Sequence, residues 1–215
     1  MRSVLRAAAL SAVALVAASS ASAAFIYQSS SRETSASVGG SVVDSESTTA
    51  VGSWYGSASA NTASYVVLST LGSNLAAGEM TFVGAAQISA SAPAVLGATS
   101  TATVTFLADA SETVRWIADL WRESVGAGNN AAISLSVIDL TTFNPVLAFT
   151  GPTLGSGSFD VVAGRTYRLN ISATANAAGS TNAVANYNVG FFSTVPAPGA
   201  IALLGLAGLA GRRRR

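Results

Sequence analysis

The sequence predicts an all-β fold: a single antiparallel β-sandwich, jelly-roll-like, with a signal peptide before it and a short hydrophobic helix after it. Three observations carry that expectation. Apolar residues alternate with Thr, Ser and Asn in four separate segments, which is the period of a half-buried strand. Clusters of glycine and asparagine, the residues that turns favour, separate those segments. The stretch between the two flanking segments is rich in Ala, Ser, Thr, Val and Gly and long enough for one domain with a sizeable core. The expected organisation is a signal peptide over residues 1–23, the β domain over 24–194 with its strands between Tyr27 and Phe192, and a tail over 195–215.

At the start, Arg2 and Arg6 form a charged region and residues 7–18 an apolar one, followed by Ala21-Ser22-Ala23. Small residues at Ala21 and Ala23 after such a run make a signal cleavage site, so export with cleavage after Ala23 is expected. The alternative is an uncleaved N-terminal anchor. Residues 29–64 hold few large apolar side chains and read either as edge strands or as a loosely ordered segment. Residues 65–71 fit a strand or a short helix, and 72–78 a loop.

The clear strands follow. Val104 and Phe106 oppose Thr103 and Thr105; Ile133, Leu135 and Val137 alternate with Ser134, Ser136 and Ile138. Tyr167, Leu169, Ile171 and Ala173 oppose Arg168, Asn170, Ser172 and Thr174, and Tyr187, Val189 and Phe191 repeat the rule. Turns are expected at 126–130, at Asn144-Pro145, at 155–157 and at 179–182, and 159–171 reads as a hairpin with Ala163-Gly164-Arg165 at its tip.

Residues 109–123 hold four of the ten acidic residues: Asp109, Glu112, Asp119 and Glu123. As a helix, Glu112, Trp116, Asp119 and Glu123 would share a face. As a strand, Val114, Trp116, Ala118 and Leu120 point inward, and Arg115, Ile117, Asp119 and Trp121 outward. The β-branched Val114 and Ile117 and the alternating neighbours favour the strand. Trp121 then stands on the wet face beside Asp119 and Arg122, where its flat ring could stack on a sugar; Trp54, followed by Tyr55, is a second candidate platform. The plainer reading of Trp121 is packing under a loop.

Composition excludes much chemistry. The eleven basic residues are all arginine, and six of them lie in the two flanking segments. The body keeps Arg32, Arg115, Arg122, Arg165 and Arg168 against ten carboxylates, a net charge of −5 where the whole chain has +1. An acidic, lysine-free body argues against nucleic acid as a partner, since phosphate binding needs clustered cations. The chain has no cysteine and no histidine. Disulfides, thiolate metal sites, Ser-His-Asp and Cys-His catalysis and histidine zinc sites are therefore absent, and without lysine so is Schiff-base chemistry. No catalytic residue, cofactor or metal is expected. Asp119 and Glu123 are the one carboxylate pair to weigh for a glycoside hydrolase, against a solvated charged face with Arg115 and Arg122 as local partners. Asp44, Glu46 and Asp160 lack the dense spacing of a calcium loop. Asn170-Ile171-Ser172 fits a glycosylation acceptor that falls inside an expected strand.

The tail combines Val195, Pro196, Ala197, Pro198 and Gly199 with an apolar run over 200–211 and with Arg212, Arg213, Arg214 and Arg215. Twelve helical residues cover about 18 Å, short of a bilayer core of about 30 Å. Four adjacent arginines stay charged and hold to water or headgroups, which argues against a buried core helix and favours the cytoplasmic side for the cluster. These residues, in this order, resemble the PEP-CTERM sorting signal of Gram-negative bacteria, with Ala197 where the namesake motif has Glu. The alternative is a weak tail anchor with a basic stop. The resemblance implies an exosortase-type processing enzyme and the inner membrane as partners, a destination in the cell envelope or extracellular matrix, and an association with exopolysaccharide or biofilm. The expectation is a non-enzymatic, exported surface or matrix protein; a carbohydrate-binding module is the second reading and a carboxylate-dependent hydrolase a distant third.

Overall fold

The computed structural model describes residues 25–126 and 129–194. Ala21, Ala23 and the rest of the signal segment, the motif residues 195–199 with the following apolar run, and Arg212 to Arg215 all lie outside the described residues, as do Ala127 and Gly128 of the 126–130 turn. The described residues form twelve strands in two antiparallel sheets and no helix.

In sheet 1 the order is β2 (Ser41–Thr48), β1 (Phe25–Val38), β6 (Leu96–Ala108), β11 (Thr166–Ala177), β8 (Asn130–Asp139) and β9 (Asn144–Thr150). Sheet 2 runs β10 (Thr153–Val161), β7 (Glu112–Val125), β12 (Thr181–Ser193), β5 (Glu79–Ala90), β4 (Tyr65–Ala76) and β3 (Trp54–Asn61). Each strand meets a counterpart in the other sheet: β2 meets β3, β1 meets β4, β6 meets β5, β11 meets β12, β8 meets β7 and β9 meets β10. Four connections are hairpins, β1–β2, β3–β4, β4–β5 and β8–β9, and the others pass between the sheets. Twelve strands joined partly by hairpins depart from the eight-stranded jelly roll.

Alternation builds both layers. All the inward residues expected from the four clean segments are buried. The 109–123 segment is a strand with the expected parity: Val114, Ala118 and Leu120 are buried and Trp116 half-buried, while Arg115, Ile117, Asp119 and Trp121 are exposed. At one end the core is aromatic, with Phe106 edge-on to Phe25 at 4.9 Å and stacked on Tyr167 at 5.6 Å. Farther along the same strands it turns to small residues, Ala98 and Ala102 on β6, Ala173 and Ala175 on β11, and Ala183 and Ala185 on β12.

Small inner residues let the layers come close. At their nearest points, Cα atoms of facing strands approach within 8 Å of each other. At that separation a serine reaches across. The Ser69 hydroxyl on β4 donates to the Thr99 carbonyl on β6, and the Ser100 hydroxyl on β6 donates to the Thr70 carbonyl on β4 at 2.9 Å. Ser100 Oγ also lies 2.8 Å from the Tyr187 hydroxyl. The Tyr187 ring passes over Gly84, where a Cβ would sit 2.3 Å from its Cζ. Burial pushes the Tyr187 phenol above its ordinary pKa, so it stays a neutral hydrogen-bonding group.

One choice the sequence left open is settled and three expectations are corrected, the first of them the turn at 155–157, which lies inside β10 and pairs with Ala118, Ile117 and Trp116 of β7. Residues 29–64 are ordered as most of β1, all of β2 and β3 and the loop between them, because pairing to β6 and β4 stabilises strands that carry few large side chains of their own. Residues 72–76 continue β4, and only the 77–78 turn, with Gly78 at φ +77°, interrupts the chain. The 159–171 segment is no hairpin: β10 pairs with β7, whereas β11 pairs with β6 and β8. Its tip is a corner between sheets. Gly164 takes φ +76°, and the Tyr167 hydroxyl accepts the Val162 N–H at 2.9 Å, as tyrosines do at corners of other two-sheet folds.

Asp139, at the end of β8, ties that corner to the next turn. Its Oδ1 accepts the Thr141 and Thr142 N–H groups at 2.8 and 3.3 Å, and its Oδ2 accepts Arg165 Nη1 at 2.9 Å. Burial pushes the carboxyl pKa up, but these donors outweigh it and hold the group below its usual range.

Two stability predictions follow from these contacts. Gly84→Ala and Ser100→Ala each lower the free energy of unfolding in urea by about 1–3 kcal/mol, the first by overpacking against Tyr187 and the second by stranding the Thr70 carbonyl and the Tyr187 hydroxyl. For Asp139, the depressed folded-state pKa means that its contribution is present above the unfolded value of ~3.9 and is lost as pH falls through the folded value. The urea midpoint of the native protein therefore drops on acidification below about pH 4, and Asp139→Asn flattens that part of the profile.

Candidate functional site

The two outer faces differ in chemistry. On sheet 1, β6 presents Thr99, Thr101, Thr103 and Thr105, flanked by serines of β1 and β8 and by Asn170 and Ser172 of β11. Asn170 is engaged within this layer, accepting from Thr103 Oγ1 at 3.3 Å and donating to Ser136 Oγ at 3.5 Å. The Asn170-Ile171-Ser172 acceptor thus sits in the middle of a paired strand.

Sheet 2 turns out a different surface. Its residue pairing lines up Leu154, Asp119, Asn188, Val83, Gly72 and Tyr55 in a single row across all six strands. The adjoining row carries Trp121, Asn186, Ala85, Thr70 and Ser57. Leu154 is 85% exposed, Tyr55 68% and Trp121 45%, and Ile117 and Val83 are also exposed. These apolar groups alternate with the amides of Asn186 and Asn188 and with Gly72 on the one outer face.

Trp121 borders an open cleft of about 390 Å³, lined also by Asp119, Asn186, Asn188, Gln87 and Thr70. A second cleft, about 400 Å³, shares Asp119 and Asn188 with it and reaches Leu154 and Ile117. A third, about 520 Å³, shares Ile117 and Ser156 with the second and ends at Arg115 and Phe192. Together they trace the outward row of β7. In the first cleft Asn186 Oδ1 is buried without a hydrogen-bond partner.

The sequence candidates separate accordingly. Trp121 is exposed beside Asp119, as expected, but Arg122 turns away to donate to the Ala131 carbonyl at 2.8 Å. Trp54 is no open platform. It is partly buried against the core and lies over Gly56, and the Arg32 guanidinium sits 5.8 Å from its ring centroid. Its neighbour Tyr55, one residue on in the alternation, is the exposed ring. Arg32 itself is 1% exposed; its guanidinium donates to the Ala50 and Gly52 carbonyls and to Ser73 Oγ, fastening the 49–53 loop between the sheets. Burial lowers its pKa, yet an arginine remains charged.

Asp119 and Glu123 are four residues apart in one strand, which puts their Cα atoms about 13 Å apart. That is wider than the ~5–9.5 Å between glycosidase carboxyls. Asp44, Glu46 and Asp160 are not brought together either. Asp44 and Glu46 accept the Ser59 and Ser57 N–H groups at 2.8 and 3.0 Å, while Asp160 accepts Thr113 Oγ1 at 2.7 Å on the opposite edge of sheet 2. Among the described residues, no group of three or more His, Cys, Asp or Glu side chains is placed to hold a metal.

Asn186, Asn188 and Gln87 were not among the sequence candidates. The signal for Asn186 and Asn188 lay in their alternation with the buried Tyr187 and Val189, and that for Gln87 in its alternation with Ala86 and Ile88, but only pairing reveals which polar outward residues stand beside Trp121. No protein-family model and no curated protein matches this chain.

The exposures make a prediction for tryptophan fluorescence. Trp121→Phe removes more of the acrylamide-quenchable emission than Trp54→Phe or Trp116→Phe, as Stern–Volmer plots of the three variants would show.

Proposed function

We propose that this is an exported, non-enzymatic β-sandwich protein displayed at the envelope or in the extracellular matrix of a Gram-negative bacterium. The observation that carries the reading is the order of features in the tail: Pro196-Ala197-Pro198, an apolar run over 200–211, then Arg212 to Arg215. An apolar run too short to cross comfortably, stopped by fixed cations, suits a segment held briefly in the inner membrane until an exosortase-type enzyme acts near the motif. The signal-like residues around Ala21 and Ala23 supply the route of entry. The lysine-free, acidic body fits an extracytoplasmic surface without nucleic-acid partners.

The test is the intact mass of the protein recovered from envelope and medium of its native host. Loss of residues 1–23 together with the segment beyond Pro198 is the expected result. A membrane-bound form that retains Arg212 to Arg215 would make the tail a permanent anchor and remove the sorting reading.

A further inference from the structure

We infer that the outer face of sheet 2 binds a neutral, extended pyranose polymer, with Trp121 and Tyr55 as stacking platforms and Asn186, Asn188, Gln87 and Asp119 as hydrogen-bonding groups between and beside them. This inference does not depend on the fate of the tail.

The chemistry of the face selects the ligand. A pyranose ring offers an apolar C–H face and an edge of hydroxyls that both donate and accept. Exposed indole and phenol rings complement the first, and side-chain amides, which also donate and accept, complement the second. Three adjoining clefts share Asp119, Asn188, Ile117 and Ser156 and run along β7 from Trp121 to Arg115, so the Trp121 platform stands at the end of a continuous track rather than over an isolated pit. Trp121 on β7 and Tyr55 on β3 are separated by β12, β5 and β4, a distance of about 19 Å at the usual strand spacing. Rings so far apart address an extended chain, not one small molecule. Gly72 lies under the Tyr55 ring, 3.7 Å from Cδ2 to where a Cβ would stand, and so leaves that ring low on the sheet.

Charge narrows the class. Asp119 is the charged group lining the Trp121 cleft, and the body carries −5 overall, so a polyanionic polysaccharide is repelled. A protein partner fits less well, because amides and glycines break up the apolar groups along each row, whereas the buried core of a protein interface is more continuously apolar. Asn186, Asn188 and Gln87 line the Trp121 cleft and supply amide groups that both donate and accept.

The experiment is isothermal titration of the full chain in mild detergent with disaccharides and hexasaccharides of the cello-, laminari-, manno- and xylo- series, and with polygalacturonate as the anionic control. The expected outcome is binding of at least one neutral hexasaccharide and none of polygalacturonate. Trp121→Ala and Asn188→Ala each weaken that binding about tenfold, the size of loss usual for a central aromatic or polar anchor. Tyr55→Ala weakens the hexasaccharide but leaves the disaccharide at Trp121 unchanged. These three side chains are on the outer face, so circular dichroism and urea unfolding of the variants should match the native protein. Failure of every neutral hexasaccharide to bind, preference for the polyanion, or affinity unchanged in Trp121→Ala overturns the inference. So does a dimer in sedimentation that Trp121→Ala dissolves, since the face would then be covered by a second copy. None of these results bears on the mass of the processed chain, so this inference and the sorting reading fail separately.

Discussion

The approach of the two sheets hangs on a pair of serines. Ser69 and Ser100 each donate to the carbonyl of the residue beside the other, Thr99 and Thr70, so β4 and β6 are stitched at backbone level through the middle of the core. That stitch is possible only where the layers are thin, and alanine lines the neighbouring inward positions of β5, β6, β11 and β12. A thin core buries less apolar surface per strand than one filled by leucine. Length compensates, with β1, β6, β7 and β12 each thirteen or fourteen residues long, and so do buried hydroxyls that are satisfied across the gap. Tyr187 belongs to the same arrangement: its ring occupies the space left by Gly84 and its hydroxyl meets Ser100.

Elsewhere longer polar side chains make the bridge. Tyr27 on β1 places its hydroxyl 2.8 and 2.9 Å from the Ala76 and Glu79 carbonyls, around the β4–β5 turn. Burial and the nearby Glu79 carboxylate raise its pKa, which keeps that hydroxyl protonated. Arg32 goes further, holding the loop that carries the chain from sheet 1 to sheet 2 and closing over Trp54. Layers pinned from inside leave their outer faces free to diverge, one a field of threonine and serine, the other an aromatic and amide surface.

Much of this was legible in the chain. Alternation marked the inward residues of β6, β8, β11 and β12, and the parity of β7, because a period of two survives any choice of partner. What did not survive was anything set by pairing. Ala163-Gly164-Arg165 looks like a hairpin tip locally, and nothing near it says that β11 pairs with β6 and β8 instead of β10. The poor apolar content of 29–64 hid β2 and β3, whose stability comes from their neighbours. Trp54 and Tyr55 are adjacent, so the alternation alone put one inside and one out; which of them faces the core was decided by Arg32 and Gly56. Asn186 and Asn188 were visible as letters and invisible as a site, since only register sets them opposite Trp121 and Asp119.

The outer edge of β3 carries a further consequence. The Ser57 and Ser59 N–H groups, on a strand that among the described residues pairs with β4 alone, are taken by the Glu46 and Asp44 carboxylates reaching over from β2. An edge strand whose donors are occupied by its own chain is a poorer template for another. The β3 border of sheet 2 is in this way guarded at Ser57 and Ser59 by carboxylates of the chain's own β2. Another chain pairing at this border would first have to displace both carboxylates, so the edge resists the addition of a foreign strand at those two positions.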